Sequence, residues 1–151
     1  MRGHFGIGIY NPKREHNVGG IWRSAGCFGA DWMFTIGNRV IKQHSDTRKE
    51  YRHTPMFHYQ NFEDFKDHIP YDSLLVGVEL ADNSFLLPNY EHPERVIYLM
   101  GAEDNGLPKE ILKQCHHIIE IPAPSLNVAS AASIVLYDRF SKASKAQRIL
   151  V

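Results

Sequence analysis

Cysteine, net charge and long apolar runs are what this 151-residue sequence has least of, and each scarcity removes a class of protein. Its two cysteines, Cys27 and Cys115, form no CxxC pair. Neither a disulfide framework nor a cysteine-built zinc site is expected, and both are read as buried free thiols. The nine histidines contain no HExxH pattern and no ligand cluster, and on a strand the adjacent His116 and His117 would face opposite ways, so no metal is expected. The longest apolar stretches, 73–78 and 96–100, are strand-length, well short of the roughly 20 residues that a membrane span needs. An apolar signal region and a small-residue cleavage site are also missing near the N-terminus, which makes the cytoplasm the expected compartment. A formal net charge of zero excludes a uniformly basic nucleic-acid binder, but not one whose charges are segregated.

Segregation is what the sequence shows. Between positions 39 and 52, Arg39, Lys42, Arg48, Lys49 and Arg52 outnumber Asp46 and Glu50, and the tail adds Arg139, Lys142, Lys145 and Arg148. From 61 to 94 the balance is acidic. A fold that gathers the basic segments on one side presents a positive face despite the neutral total; the alternative is a solvated loop and a solvated tail. With 43% hydrophobic and 23% charged residues, no repeat and no composition shift, the chain is expected to form one globular domain over 1–151.

Short apolar runs alternate with amphipathic stretches, the pattern of an α/β domain with a mostly parallel sheet flanked by helices. Strands are predicted over 5–10, 31–36, 73–79, 96–100 and 117–121, and helices over 17–28, after Asn61, after Pro108 and over 125–142. Asn61 suits an N-cap with Asp64 in the first turn and Phe62, Phe65 and Ile69 on one side. In open α/β sheets, ligands bind in the loops beyond the carboxyl ends of the strands, and three loops qualify. One runs into Asn17, Gly19, Gly20 and Arg23, where the glycines permit close approach and the guanidinium can grip a phosphate; a plain cap and a surface Arg are the alternative. Another holds Gly101, Glu103, Asp104 and Gly106 followed by Leu107 and Pro108, in place of the Lys and Ser/Thr of a triphosphate loop. Its carboxylates suit a cationic or donor-rich ligand. The last carries Pro122, Pro124, Ser125, Leu126 and Asn127 before a run of small residues, with Ser125 as the expected helix cap.

In this order, the segments Asn17-x-Gly19-x-x-x-Arg23-x-Ala25-x-x-Phe28-Gly29, Gly101-x-Glu103-x-x-Gly106-Leu107 and Ser125-Leu126-Asn127-Val128 resemble the three motifs of the SpoU-like branch of the SPOUT RNA methyltransferases. The resemblance implies a C-terminal trefoil knot, a homodimer, S-adenosylmethionine as cofactor, and methylation of a ribose 2'-hydroxyl of tRNA or rRNA. It further implies cofactor contacts at Val78, Gly101, Glu103, Ile121 and Leu126, and catalytic positions at Asn17, Arg23, Glu103, Ser125 and Asn127. Arg39, Lys42, Arg48, Lys49 and Arg52 are the expected RNA contacts, with no separate RNA-binding domain. The first and last helices are expected at the dimer interface, with Ile21 or Ala25 in it. Where many relatives carry more residues between Ile121-Pro122 and Ser125, this chain has only Ala123 and Pro124. A dimeric RNA-binding protein without catalysis and a base-methylating relative are the alternatives; motif order favours ribose methylation.

Overall fold

β1 alternates glycine with isoleucine, and that alternation sets the centre of the sheet. In the computed structural model, which describes residues 3–38 and 53–149 (the side chains of 144–149 excepted), Ile7 and Ile9 point to one face and are fully buried. Gly6 and Gly8 lie opposite Trp32 and Phe34 in register. A Cβ at either glycine would overlap the facing ring, so the missing side chains are what admit the two aromatics.

The elements run β1 (His4–Tyr10), α1 (Glu15–Cys27), β2 (Trp32–Ile36), β3 (Met56–Tyr59), α2 (Phe62–Lys66), β4 (Leu74–Val78), β5 (Phe85–Leu86), a 3-10 turn (Leu87–Asn89), β6 (Arg95–Met100), α3 (Lys109–Leu112), β7 (His117–Glu120) and α4 (Val128–Ile149). The strands form one sheet in the order β3-β2-β1-β6-β4-β7-β5, and every strand pairing among the described residues is parallel. Helices cover both faces, as an all-parallel sheet requires. One core joins Ile7, Ile9, Met33, Tyr98 and Met100 to Val18, Ile21 and Ala25 of α1 and to Ala132, Val135 and Leu136 of α4. The other joins Phe34, Ile36, Ile97 and Leu99 to Phe62 and Phe65 of α2 and Ile111 of α3.

Asn61 caps α2 as expected: its Oδ1 accepts the Asp64 N–H at 2.8 Å, and Asp64 reciprocates by accepting the Gln60 N–H at 2.9 Å. Several expectations are corrected. α1 begins at Glu15, so Asn17 lies inside the helix. α4 begins at Val128 and is capped by Asn127, whose Oδ1 accepts the N–H groups of Ala129 and Ser130; Ser125 is not the cap. Cys27 is exposed and Cys115 only half-buried, with burial pushing its thiol up to about 11. Ile21 and Ala25 are fully buried against the sheet and so unavailable to a second subunit.

Small residues bring α1 and α4 together. Gly20 faces the Ala129 methyl, and the Ser24 and Ser133 hydroxyls share a 2.7 Å hydrogen bond. Arg139, counted above with the basic tail, is instead buried beneath the fold. Its guanidinium donates to the carbonyls of Pro93 and Glu94 and to the Tyr98 hydroxyl, and lies 4.5 Å from the centre of the Phe5 ring. Lys142 is likewise engaged, donating to the carbonyls of Leu87 and Tyr90 and pairing with Asp138 at 2.6 Å. These contacts pin α4 to the chain that leads into β6.

Candidate active site

The parallel sheet delivers the ends of β4, β6 and β7 to one edge, where the loops 11–14, 101–107 and 121–127 meet around a cleft of about 640 Å³. That volume is within the roughly 300–1,000 Å³ of clefts that take ligands of cofactor size. Val78, Gly101, Glu103, Ile121 and Leu126 all line it, as do Asn17, Ser125 and Asn127.

Gly101 shapes the middle loop. A Cβ there would lie 2.5 Å from the Gly106 carbonyl carbon, so only glycine lets the loop fold back on itself. The fold-back is held by the Gly106 N–H donating to the Ala102 carbonyl at 3.0 Å. It is held too by Glu79, which accepts the Leu107 N–H at 2.9 Å. Glu79 is the last residue of a predicted strand and Glu120 the last but one of another; neither was singled out from sequence, yet both line the cleft. Their position at strand ends was the available signal.

The three loops are tied together by a polar relay centred on Asn17, which is 1% exposed. Its Nδ2 donates to Glu103 Oε1 at 2.7 Å, and its Oδ1 accepts from Asn127 Nδ2 at 2.9 Å. Because Asn127 also caps α4, the relay fixes a helix start as well as two side chains. Partial burial pushes the Glu103 carboxyl up, but the hydrogen bonds from Asn17 and from surrounding backbone N–H groups, that of Lys13 among them, outweigh it and hold the group below the usual carboxylate range. Glu103 is therefore an anion at neutral pH. Next to it, Asp104 is paired with the Lys13 ammonium at 2.6 Å across the mouth of the cleft, which lowers its pKa.

Arg23 does not line the cleft; it lies exposed on α1, six residues past Asn17 and on another side of the helix. Ser125 is on the wall and exposed. Arg39, Lys42, Arg48, Lys49 and Arg52 fall outside the described residues. Among the described residues no three His, Cys, Asp or Glu side chains are grouped so as to hold a metal ion, and no helix is long and apolar enough to cross a membrane.

With carboxylates at the ends of adjacent strands and apolar Val78, Met100, Ile121 and Leu126 beside polar Asn17, Ser125 and Asn127 on the wall, the cleft suits a cationic ligand with an apolar portion. Comparison with known proteins points the same way. The sequence model of the SpoU rRNA Methylase family matches residues 4–137. An uncharacterised tRNA/rRNA methyltransferase of Synechocystis is 30% identical over 133 residues, covering 83% of this chain and 35% of that protein. A Staphylococcus aureus protein named for the TrmH family of tRNA/rRNA methyltransferases is 26% identical, covering 89% and 56%. The chain thus spans about a third to a half of the length of these relatives. Among solved structures, an AdoMet-bound rRNA methyltransferase from Sinorhizobium meliloti superposes with a TM-score of 0.84 at 25% identity, over 94% of this chain and 57% of that one. A chain solved in work on 2-OH methylation of C/U34 on tRNA has the same fold, with a TM-score of 0.84 at 21% identity, over 96% of this chain and 99% of that one.

Proposed function

Because the chain belongs to the SpoU rRNA methylase family, we propose that it is an S-adenosylmethionine-dependent RNA methyltransferase whose acceptor is a ribose 2'-hydroxyl of tRNA or rRNA. The observation that carries this reading is the convergence of the three motif loops on one cleft, cross-linked through Asn17, Glu103 and Asn127. The cofactor fits the residues present. The fold-back at Gly101 offers backbone groups to a flat ligand, and Glu79, Glu103 and Glu120 complement a sulfonium and an ammonium. When bound, it supplies an activated methyl group. Val78, Gly101, Ile121 and Leu126 would hold it.

A 2'-hydroxyl is a weak nucleophile, so the protein must align its oxygen and stabilise the charge that develops there. The relay keeps Asn127 and Glu103 in fixed positions without reorganisation. Ser125, on the same wall, would hydrogen-bond the incoming ribose. Arg23 acts in this reading as a phosphate clamp, reached by an RNA strand lying over α1, since a guanidinium is too basic to serve as the proton acceptor. Arg39, Lys42, Arg48, Lys49 and Arg52 are taken as further RNA contacts on their charge alone, and the trefoil knot is the threading that goes with this family assignment.

Calorimetric titration with S-adenosylmethionine, followed by nucleoside mass spectrometry of tRNA and rRNA incubated with protein and cofactor, tests the reading. Saturable binding and a new 2'-O-methylated nucleoside are expected. Absence of heat at high protein concentration would sink it, and a base-methylated nucleoside would move the acceptor.

A homodimer belongs to the same proposal, on a face different from the one Ile21 and Ala25 suggested. Phe28, at the end of α1, contacts the rings of Tyr137 and Phe140 on α4, and Ile134, Tyr137 and Phe140 are all exposed. Large apolar side chains grouped in this way mark an interaction surface. The wild type is expected to sediment at twice the 17.3 kDa chain mass, and the double change Tyr137→Glu and Phe140→Glu to yield monomers. A double variant still dimeric at micromolar concentration would place the interface elsewhere.

A further inference from the structure

Among the described residues lining the cleft, Arg14 is the one Lys or Arg side chain, in a wall that also carries Glu79, Glu103, Asp104 and Glu120. An RNA strand brings phosphates, and four carboxylates repel them. The electrostatics of the wall therefore suit the cofactor and oppose the proposed substrate, unless a cation is available to the RNA at the rim.

The neighbouring Lys13 is already engaged. The Lys13 ammonium is held by Asp104 at 2.6 Å, and the Lys13 backbone N–H donates to Glu103. Arg14 differs. Its residue is the N-cap of α1, with extended backbone (φ −122°, ψ 127°) and no side-chain capping bond, and it is exposed. Among the described residues its guanidinium makes no hydrogen bond and no ion pair, although it is near enough to Asp104 to help lower that carboxyl's pKa, so its donors remain available to a ligand. One turn of α1 separates it from Asn17, whose side chain is locked to Glu103 and Asn127. Arg23, by contrast, lies off the wall.

We infer that Arg14 is the substrate-positioning cation of the cleft: it takes a phosphate next to the target nucleotide and so sets the ribose against the wall formed by Asn17, Glu103 and Asn127. The inference rests on the RNA methyltransferase reading for the identity of the ligand. A guanidinium matches a phosphate through two parallel N–H···O bonds, fixing orientation as well as distance, which an ammonium does not.

Arg14→Ala and Arg14→Lys, compared with the wild type, test this. Binding to a pool of unmodified tRNA transcripts is measured over a series of salt concentrations, alongside S-adenosylmethionine affinity and the kinetics of methyl transfer. In Arg14→Ala, RNA affinity and kcat/KM are expected to fall about 10- to 100-fold, the worth of hydrogen bonds to a charged group, with KM carrying most of the loss. The slope of log affinity against log salt should flatten by roughly one unit. Cofactor affinity should stay within twofold. Arg14→Lys should restore the salt slope but only part of kcat/KM, because it keeps the charge and loses the fork. An Ala variant with unchanged RNA affinity and slope overturns the inference, and so does one that loses cofactor binding in parallel, since Arg14 would then be shaping the cleft. A wild type that does not bind S-adenosylmethionine defeats the functional reading instead, while the salt slope still decides whether Arg14 contacts phosphate.

Discussion

Asn17→Ala is expected to lower methyl transfer about 100-fold, the cost of a small misplacement of groups that must align a reaction. Asn17 holds Glu103 at 2.7 Å and Asn127 at 2.9 Å while itself almost fully buried, so its loss removes two hydrogen bonds, one of them to a carboxylate, from partners that water can reach. Glu103 loses a bond that lowers its pKa, and its carboxyl should move back up. Stability should drop by about 1–3 kcal/mol, the net worth of one neutral hydrogen bond and one to a charged group. Asn17→Asp is the sharper variant. It keeps the shape, removes the donor, and sets a second carboxylate against Glu103, so its activity should be lower than that of the Ala variant and should recover partly in acid. Single-turnover transfer with RNA, measured beside cofactor calorimetry, separates the two effects. Near-normal turnover in Asn17→Ala would mean that the relay is architectural only.

Arg139→Ala should cost about 3 kcal/mol, since it strips three acceptors of a charged donor and leaves space beneath Phe5. For a domain of this size that corresponds to a fall in Tm of about 6–12 °C. An opposing effect exists: a buried charge is costly to desolvate, and its removal relieves that cost. Arg139→Met decides between them because it roughly keeps the volume and discards the donors. If bonding to Pro93, Glu94 and Tyr98 dominates, Arg139→Met melts well below the wild type; if desolvation dominates, it melts at or above it. The Glu94 carbonyl also accepts the His4 N–H at 2.8 Å, so the loss should fall mostly on Pro93 and Tyr98.

Sequence patterning was informative where periodicity was strong and weak where pairing partners supplied the structure. The buried runs that became β2 and β6 were readable, and so was the Asn61 cap, because each is set by local residues. β3 and β5 were not predicted. Met56–Tyr59 has no apolar run and Phe85–Leu86 is two residues long; both are edge strands that exist because β2 and β7 offer hydrogen bonds. Arg139 read as a tail charge because nothing local shows that distant carbonyls will satisfy it. Arg14 and Glu79 escaped notice for a related reason: a side chain's place on a cleft wall depends on loops remote in sequence. The motif residues were legible because spacing within a motif survives even where the tertiary contact cannot be inferred, as for Asn17, Glu103 and Asn127.

Asn17 meets Glu103 across 86 positions of chain and Asn127 across 110. Contacts of that range come at a high cost in loop-closure entropy and form only when most of the intervening chain is ordered. No contiguous fragment short of Asn17 to Asn127 therefore contains the relay, and an early intermediate with β1, α1 and β2 in place would still lack the wall proposed for catalysis. On the proposed reading, a nascent chain should be inert until α4 docks against α1.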